Sequence, residues 1–355
     1  MSIQDIIDNK LVNWMKADGP ENQIVISSRI RLARNINMLP FPHLLENNEE
    51  AEKIMQAIQK AVTNNPELEL TRLSQISSLE KQNLLEKHLI SPQHAESNDA
   101  FRGVITDKNG SITIMINEED HLRIQCLVPG LQLNQAYKWA DDMDDFLEKD
   151  LEYAFDERRG YLTACPTNVG TGMRASVMLH LPAIAAADQQ NHIFGSMAQF
   201  GLTVRGLYGE GTEALGNLYQ MSNQVTLGLN EEDIINNLWT VTLHIIEQER
   251  NIRDSLLRQM KYQMEDRVWR AYGLLTNARV ITSNEALSLL SDVRLGCDMG
   301  ILPAIPAITL NELIVAIRPA HLQRAAGRHM DTMERDLLRA DIIKASLLGR
   351  KKEEE

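Results

Sequence analysis

Polar and apolar residues alternate in several short segments of roughly the first 230 residues, and this period of two predicts β-strands. The clearest case is the segment 24–32, in which Arg29 and Arg31 fall on one face of the predicted strand. The other face would carry Ile24, Ile26, Ser28, Ile30 and Leu32. Further strands are predicted over residues 111–116, 121–126, 161–165, 174–181, 202–208 and 224–229.

Helical periodicity marks three segments of the same region and almost all of the remainder of the chain. The early helices are predicted over residues 3–16, 48–64 and 134–153. Strand signals stop near residue 230, and helices are predicted over 231–272, 284–290, 310–316 and 330–348. We therefore predict a mixed domain of strands and helices over residues 1–254 and a helical domain over residues 255–355.

Composition narrows the class of protein. The 355 residues carry a formal net charge of −13, so a broad nucleic-acid surface is not expected. No segment reaches the roughly 18 apolar residues of a membrane helix, and the first residues lack the pattern of a secretory signal. Cys126, Cys165 and Cys297 form no CxxC pair, which favours reduced thiols in a cytoplasmic protein.

Five arginines lie on four predicted strands or strand ends. A single arginine is usually a solvated surface charge, but several on one sheet face converge and repel one another unless an anion lies between them. Guanidinium groups bind phosphate oxygens with two parallel hydrogen bonds, so a nucleoside triphosphate is a suitable anion. The five are Arg29, Arg31, Arg123, Arg174 and Arg205.

Two acidic turns accompany the arginines, namely the segment 118–120 beside Arg123 and the Glu210 loop beside Arg205. Acidic turns are most often only solvated, but carboxylates beside a phosphate site could hold a cationic phosphate acceptor. The sequence contains no GxxxxGK[ST] loop and no HRD or DFG motif, so arginine side chains and backbone would have to bind the phosphates.

Four motifs resemble the phosphagen (guanidino) kinase family. They are SSRIRLARN at 27–35, NEEDHLR at 117–123, CPTNVGTGMRASV at 165–177 and RGLYGE at 205–210. The resemblance implies an α+β fold in which a mostly antiparallel, glutamine-synthetase-like sheet is flanked by helices. An all-α C-terminal domain would follow this catalytic part.

The resemblance also implies roles for individual residues. Glu119 and Glu210 would hold the acceptor guanidinium, with Cys165 against it, and we take Glu119 as the catalytic base and Glu210 as a second clamp. Magnesium would accompany ATP without a metal site of the protein's own. The implied ATP-binding residues are Ser27, Ser28, Arg29, Ile30, Arg31, His88, Arg123, Arg174, Ala175, Ser176, Val177, Met178, Arg205, Gly206, Leu207, Tyr208 and Gly209.

Two departures from the small-molecule enzymes resemble the bacterial protein-arginine kinases instead. Only 26 residues precede Ser27, too few for the helical domain found there in the small-molecule enzymes. Met178 replaces the histidine usual after Arg-Ala-Ser-Val. A further motif, RDxxRA, resembles the phosphoarginine pocket of those kinases and would form an allosteric site, although the spacing alone indicates a salt-bridged helix face. Its residues are Arg335, Asp336, Arg339 and Ala340.

These resemblances imply ATP-dependent phosphorylation of arginine side chains in proteins, in a stress response that marks proteins for Clp-type degradation. A free-arginine kinase and a phosphoarginine-binding adaptor or regulator remain alternatives. The implied partners are protein substrates with exposed arginine, a zinc-containing activator protein, a heat-shock repressor and a Clp-type unfoldase. A homodimer formed through the helical domain is also implied, with neither nucleic acid nor membrane as a partner.

Overall fold

An antiparallel sheet of eight strands forms the centre of the protein. The computed structural model describes residues 3–8, 11–45, 48–97, 99–207 and 214–349. The strands are β1 (Val25–Arg34), β2 (Leu68–Arg72), β3 (Gly103–Asp107), β4 (Ile112–Ile116), β5 (Leu122–Pro129), β6 (Phe155–Asp156), β7 (Gly160–Tyr161), β8 (Met173–His180), β9 (Leu202–Gly206) and β10 (Leu218–Asn223). The large sheet has the order β2-β3-β4-β5-β1-β8-β10-β9, and β6 pairs with β7 in a separate hairpin.

Thirteen α-helices surround the sheet or follow it in the part of the chain that the structure describes. Eight of them belong to the first 260 residues: α1 (Ile3–Asp8), α2 (Asn48–Val62), α3 (Ser78–Glu86), α4 (Pro92–Glu96), α5 (Leu133–Glu148), α6 (Pro182–Ala186), α7 (Gln190–Met197) and α8 (Glu231–Gln259). The C-terminal helices are α9 (Lys261–Asn277), α10 (Ser283–Asp298), α11 (Ala307–Ala316), α12 (Pro319–Ala326) and α13 (Thr332–Leu347). The α+β fold with a helical C-terminal region is thus confirmed.

Several predicted elements are wrong in their limits. Residues 224–229 form no strand, and the strand of this region is β10, which ends at Asn223. The pairing ends there because the Asn223 side chain is hydrogen-bonded to the backbone of Ala175 and Met173. The segment 161–165 forms no strand beyond Tyr161, since side chains satisfy part of its backbone. The first helix ends at Asp8, and β2 and β3 were not predicted.

A bulge in β1 changes the predicted division of its side chains between the two faces. The register with β8 shifts between Val25 and Ser27. As a result Ile26 does not join Ile30 and Leu32 in the core beneath the sheet, but belongs to a second core with Leu127 on β5. Beyond the bulge the predicted alternation holds.

The two cores lie on different sides of the sheet. The first core joins one face of the sheet to α2, α5 and α8. The second core joins the N-terminal segment and α3 to α9, α10, α11 and α13. The helical region is also bonded to the first residues, through Arg294 to the carbonyl of Asn22 at 2.7 Å and Asn311 to the carbonyl of Met15 at 3.2 Å. The C-terminal helices therefore pack closely against the part of the chain that contains the sheet.

The predicted division between residues 254 and 255 falls inside α8, which continues without a break to Gln259. Asn230 caps the start of this helix, because its side chain accepts the backbone N–H of Asp233 at 2.7 Å. Within the described ranges, no helix is both long and apolar enough to cross a bilayer.

Candidate active site

The face of the sheet opposite the first core forms the floor of a cleft of about 1480 Å³. The predicted arginines reach it from four strands, because alternate positions of each strand point to the same face. β1 supplies Arg29 and Arg31, β5 supplies Arg123, β8 supplies Arg174, and β9 supplies Arg205. The structure therefore brings all five predicted arginines to one cavity.

The arginines are spread unevenly along the strands of the floor. A smaller cavity containing Glu119 and Cys165 adjoins the end of the cleft at Arg31, Arg123 and Arg174. From that end, the rows set by strand pairing hold Arg31 with Gln125 and Arg174, then Arg29 with Leu127 and Ser176, then Ser27 with Met178. Two arginines meet in the first row, whereas the third row is neutral at Ser27 and Met178 and continues through Gln220 to Arg205 at the edge of the sheet.

The guanidinium groups repel one another on this floor. Burial, followed by the charges of Arg123 and Arg174, lowers the pKa of Arg29 to about 10. Burial and the neighbouring arginines also lower the pKa of Arg31 and of Arg174. All remain cationic at neutral pH. A polyanion bound between them would relieve this repulsion, which makes the floor suited to phosphate.

Glu118, rather than Glu119, forms the ion pair with Arg123, at 2.6 Å. The Glu118 carboxylate also accepts a hydrogen bond from the Ser91 hydroxyl at 2.6 Å, and its side chain is almost fully buried. Although burial opposes its ionisation, these contacts hold the pKa of Glu118 below its usual value. Glu118 fixes one arginine of the floor, a role that the sequence did not reveal.

Glu119 stands where three cavities meet. It is exposed, and among the described residues it alone lines the main cleft, the Cys165 cavity and a further cavity of about 310 Å³ on the side of His43 and Phe101. Partial desolvation, followed by the charge of Asp120, raises the pKa of Glu119. A carboxylate with a raised pKa at the edge of a cationic floor is suited to accept a proton.

The turn that carries Glu119 is anchored from below by Asp120. The Asp120 carboxylate accepts the Asn35 side-chain amide at 2.6 Å and the backbone N–H of Ala164 at 2.7 Å. These two bonds join the acidic turn to the end of β1 and to the residue before Cys165. The positions of Glu119 and Cys165 are therefore coupled through one buried carboxylate.

Cys165 begins the glycine-containing loop before β8. Its Sγ lies 3.0 Å from the Thr167 hydroxyl. Gly172 has a φ of +63°, and a Cβ there would meet the Arg34 side chain at 2.6 Å and the Ala33 carbonyl at 2.7 Å. Only glycine fits, so the loop lies close against β1 and places Cys165 beside the arginines.

His88 lines the cleft from the segment after α3 and packs against Trp14, with ring centroids 5.5 Å apart. Burial, Arg29 and Arg318 lower its pKa to about 3, so it is neutral at physiological pH. Ser27, Ser176, Met178, Gly206 and Leu207 also line the cleft. Three predicted residues of the adjoining loop, Tyr208, Gly209 and Glu210, lie outside the described residues.

Four predicted ATP-binding residues have side chains that do not line the cleft. Ile30, Ala175 and Val177 are buried in the core beneath the sheet, because they alternate with the arginines. The Ser28 hydroxyl is bonded to the Gly130 carbonyl at 2.8 Å. Contact of these four side chains with a nucleotide in the cleft is not supported by their positions.

The residues of the RDxxRA motif lie on α13, away from the cleft lining. Arg339 is buried and bonded to Asp336 and to the carbonyls of Ile281 and Ile317, both at 2.8 Å. Arg335 donates to the Met330 carbonyl at 2.8 Å, and Ala340 is buried in the second core. Phosphoarginine could bind here only by replacing some of these hydrogen bonds.

One wall of the cleft is formed by helices that the sequence analysis did not assign to the site. Side chains of α3 line the cleft, and so does the beginning of α12. The residues from α12 and its N-terminal flank are Arg318, Pro319, Ala320 and Gln323. These positions carry no recognisable motif, and only the folded chain shows where they lie.

Comparison with known proteins agrees with this arrangement. Residues 49–252 match the family described as ATP:guanido phosphotransferase, C-terminal catalytic domain, and residues 261–355 match the protein-arginine kinase McsB C-terminal domain. The chain is 56% identical to a protein-arginine kinase from Syntrophomonas wolfei over 353 residues, 98% of each chain. It is 49% identical to one from Bacillus licheniformis, covering 98% of this chain and 96% of the other.

Solved structures show the same catalytic fold. The duplicated taurocyamine kinase from Schistosoma mansoni matches with a TM-score of 0.59 and 25% identity, covering 69% of this chain and 35% of that chain. Lombricine kinase matches with a TM-score of 0.59 and 23% identity over 69% of this chain and 72% of its own, which supports the fold alone. With the full-length matches, these likenesses show that the chain belongs to the protein-arginine kinases of the ATP:guanido phosphotransferase family.

Proposed function

We propose that the protein transfers the γ-phosphoryl group of ATP to arginine side chains of protein substrates. The observation that carries the proposal is the cationic floor that ends at Glu119 and Cys165. Such a floor suits a triphosphate, and a carboxylate at its end suits a guanidinium acceptor. The full-length similarity to protein-arginine kinases favours a protein as the substrate.

The reaction requires the site to align two reactants and to accept one proton. A guanidinium nitrogen forms the N–P bond while the bond from the γ-phosphorus to the ADP oxygen breaks, and ADP leaves with that electron pair. Glu119 accepts the proton that the nitrogen loses and later releases it to solvent. The arginines neutralise the charge spread over the transferring group, and little covalent help is needed.

Magnesium would be held by the phosphate oxygens of the nucleotide. Across the described ranges no three His, Cys, Asp or Glu side chains are grouped so as to hold a metal ion. Bound there, magnesium would neutralise phosphate charge, as the arginines do. We further propose that Glu210 clamps the acceptor from the loop after β9 and that Cys165 contacts it.

The test is the intact mass of an unfolded protein substrate after incubation with MgATP. We expect mass increments of one phosphate that disappear in acid, because phosphoramidates are acid-labile and hydroxyl esters are not. Free L-arginine is the parallel substrate: labelling of free arginine but not of the protein would favour the small-molecule alternative. No acid-labile increment on either substrate would contradict the proposal.

We also propose, from the family resemblance, that the enzyme acts in the cytoplasm in a stress response that marks proteins for Clp-type degradation. The expected partners are a zinc-containing activator protein, a heat-shock repressor as substrate and a Clp-type unfoldase. Dependence of degradation of a phosphorylated substrate on both this kinase and the unfoldase would test the pathway. Equal degradation without the kinase would refute it.

The C-terminal region, which we propose as residues 255–355, would bind phosphoarginine through RDxxRA and form a homodimer. Exposed apolar side chains on α9 support an interface, with Tyr262 80% and Trp269 49% exposed. Light scattering of the wild type and of Trp269→Glu tests the dimer. A phosphoarginine peptide that binds wild type and Asp336→Ala equally would remove the pocket assignment.

A further inference from the structure

The wall formed by α12 is the part of the cleft that the proposed reaction does not yet use. Arg318, Pro319, Ala320 and Gln323 line the same cavity as the arginine floor, although they lie more than a hundred residues beyond it in the chain. Nothing in the transfer of a phosphoryl group requires a wall at this place. This wall is therefore available to contact a part of the ligand other than the phosphates.

The beginning of α12 is held firmly against α3. The Glu86 carboxylate accepts the backbone N–H groups of Ala320 at 2.9 Å and of His321 at 3.1 Å. It also lies 2.7 Å from Nδ1 of His321, in a nearly buried pair. Because Glu86 itself lines the cleft, these bonds fix α12 as a wall of the cavity, and Arg318, the residue before α12, lines the same cavity.

The direction of a bound nucleotide follows from the position of Glu119 at one end of the cleft. Its transferable phosphate must lie near Glu119, at the end where Arg31, Arg123 and Arg174 meet the smaller cavity. The nucleoside must then extend away from that end, past Arg29 and toward Ser27 and Met178. Arg318 lines the main cleft but neither of the two smaller cavities at Glu119, so it lies away from the transferable phosphate.

We propose that Arg318 at the start of α12 binds the nucleoside portion of ATP, so that the nucleotide joins the sheet to the C-terminal helices. The inference rests on the proposed function for the direction of the nucleotide. A guanidinium is planar: it stacks on a base and donates hydrogen bonds to ribose hydroxyls, and an ammonium group can do only the second. Pro319 and Met178, which line the same cleft, provide apolar surface for the base.

The experiment separates the nucleoside from the phosphates by comparing two ligands in titration calorimetry. MgADP carries the nucleoside, and magnesium triphosphate carries only the phosphate chain. We expect Arg318→Ala to weaken MgADP about 10-fold, or ~1.4 kcal/mol, and to leave triphosphate binding unchanged. Arg29→Ala should weaken both ligands, because Arg29 belongs to the phosphate floor.

The matched control is Arg328→Ala, which removes an exposed arginine of the same region that does not line the cleft. Its affinity for both ligands should equal that of the wild type. Thermal unfolding without ligand checks each variant, and Arg318→Lys replaces Arg318→Ala if the alanine protein is unstable. The lysine protein keeps the charge, so a loss of MgADP affinity there reports the lost planar group.

Two results would overturn the inference. One is wild-type MgADP affinity in a folded Arg318 variant, and the other is an equal loss of both ligands, which would make Arg318 a phosphate residue. Failure of the proposed function looks different, because wild-type protein would then bind MgADP but leave no acid-labile phosphate on arginine. Wild-type protein that binds neither ligand would contradict both proposals.

Discussion

Glu119→Gln is the substitution that tests the chemistry most directly. The amide has nearly the shape of the carboxylate and can still accept a hydrogen bond from the acceptor guanidinium, but it cannot take up the proton. Loss of general-base catalysis typically costs 10²–10⁴ in rate, which corresponds to about 2.7–5.4 kcal/mol of transition-state stabilisation. We therefore expect kcat to fall within this range.

The position of Glu119 predicts a second, opposite effect on stability. Burial and Asp120 raise the pKa of Glu119, so the folded protein binds the proton more tightly than the unfolded chain does. Ionised Glu119 therefore opposes folding, and stability is lost as the pH rises from the unfolded pKa through the folded pKa. At neutral pH, Glu119→Gln should melt at the wild-type temperature or above it.

The assay is phosphoarginine formation on an unfolded protein at saturating MgATP, with MgADP affinity and thermal unfolding measured on the same preparation. Glu118→Gln is the contrasting variant, because it removes the buried partner of Arg123 and should lower the melting temperature. If Glu119→Gln phosphorylated arginine within threefold of the wild-type kcat, Glu119 would not be the base. If the loss of activity followed a loss of stability, the residue would be structural.

Three further outcomes follow from contacts outside the reacting centre. The Arg34 guanidinium lies 2.6 Å from the buried Asp144 carboxylate, so Arg34→Met leaves that carboxylate without a cation and should lower the free energy of unfolding in urea by about 3–5 kcal/mol. Breaking the more exposed pair of Arg72 with Glu52 should lower it by at most about 1 kcal/mol. Cys165→Ser should keep at least a tenth of the wild-type activity, and a loss as large as that of Glu119→Gln would make the thiol essential. The free energy of unfolding should fall by about 1.4 kcal/mol per histidine from pH 7.5 to 5.5, because burial holds His88, His94, His121 and His180 neutral in the fold while the unfolded chain takes up their protons below about pH 6.5. A flat profile would refute this. Burial lowers the pKa to about 3 for His88 and to about 4 for His94 and His121.

The sequence was informative where a strand period and a charged side chain coincide. Alternation alone predicted that Arg29 and Arg31 share a face, and the structure places both on the cleft floor. The same alternation puts Ile30 beneath the sheet, whereas the motif suggested an ATP contact across its whole length. Motif membership does not distinguish side chains that reach the ligand from side chains that hold the strand in place.

The sequence could not reveal contacts that depend on distant segments. Glu118 and Glu119 are adjacent and chemically identical, and only folding buries one against Arg123 while it exposes the other. Arg318 follows Glu86 by more than two hundred residues, and their proximity depends on how α12 meets α3. The bulge in β1 could not be predicted either, because the register of a strand depends on the strands with which it pairs.

The second core has a consequence for the way the protein is made. It brings together side chains of the first 15 residues, such as Ile7 and Met15, and side chains of the last helices, such as Leu313 and Ile343. A nascent chain emerging from the ribosome cannot complete this core until its end has been synthesised. The nucleotide cleft would gain its far wall at the same moment, so interrupted translation products should be poor kinases even when every phosphate-binding arginine is present.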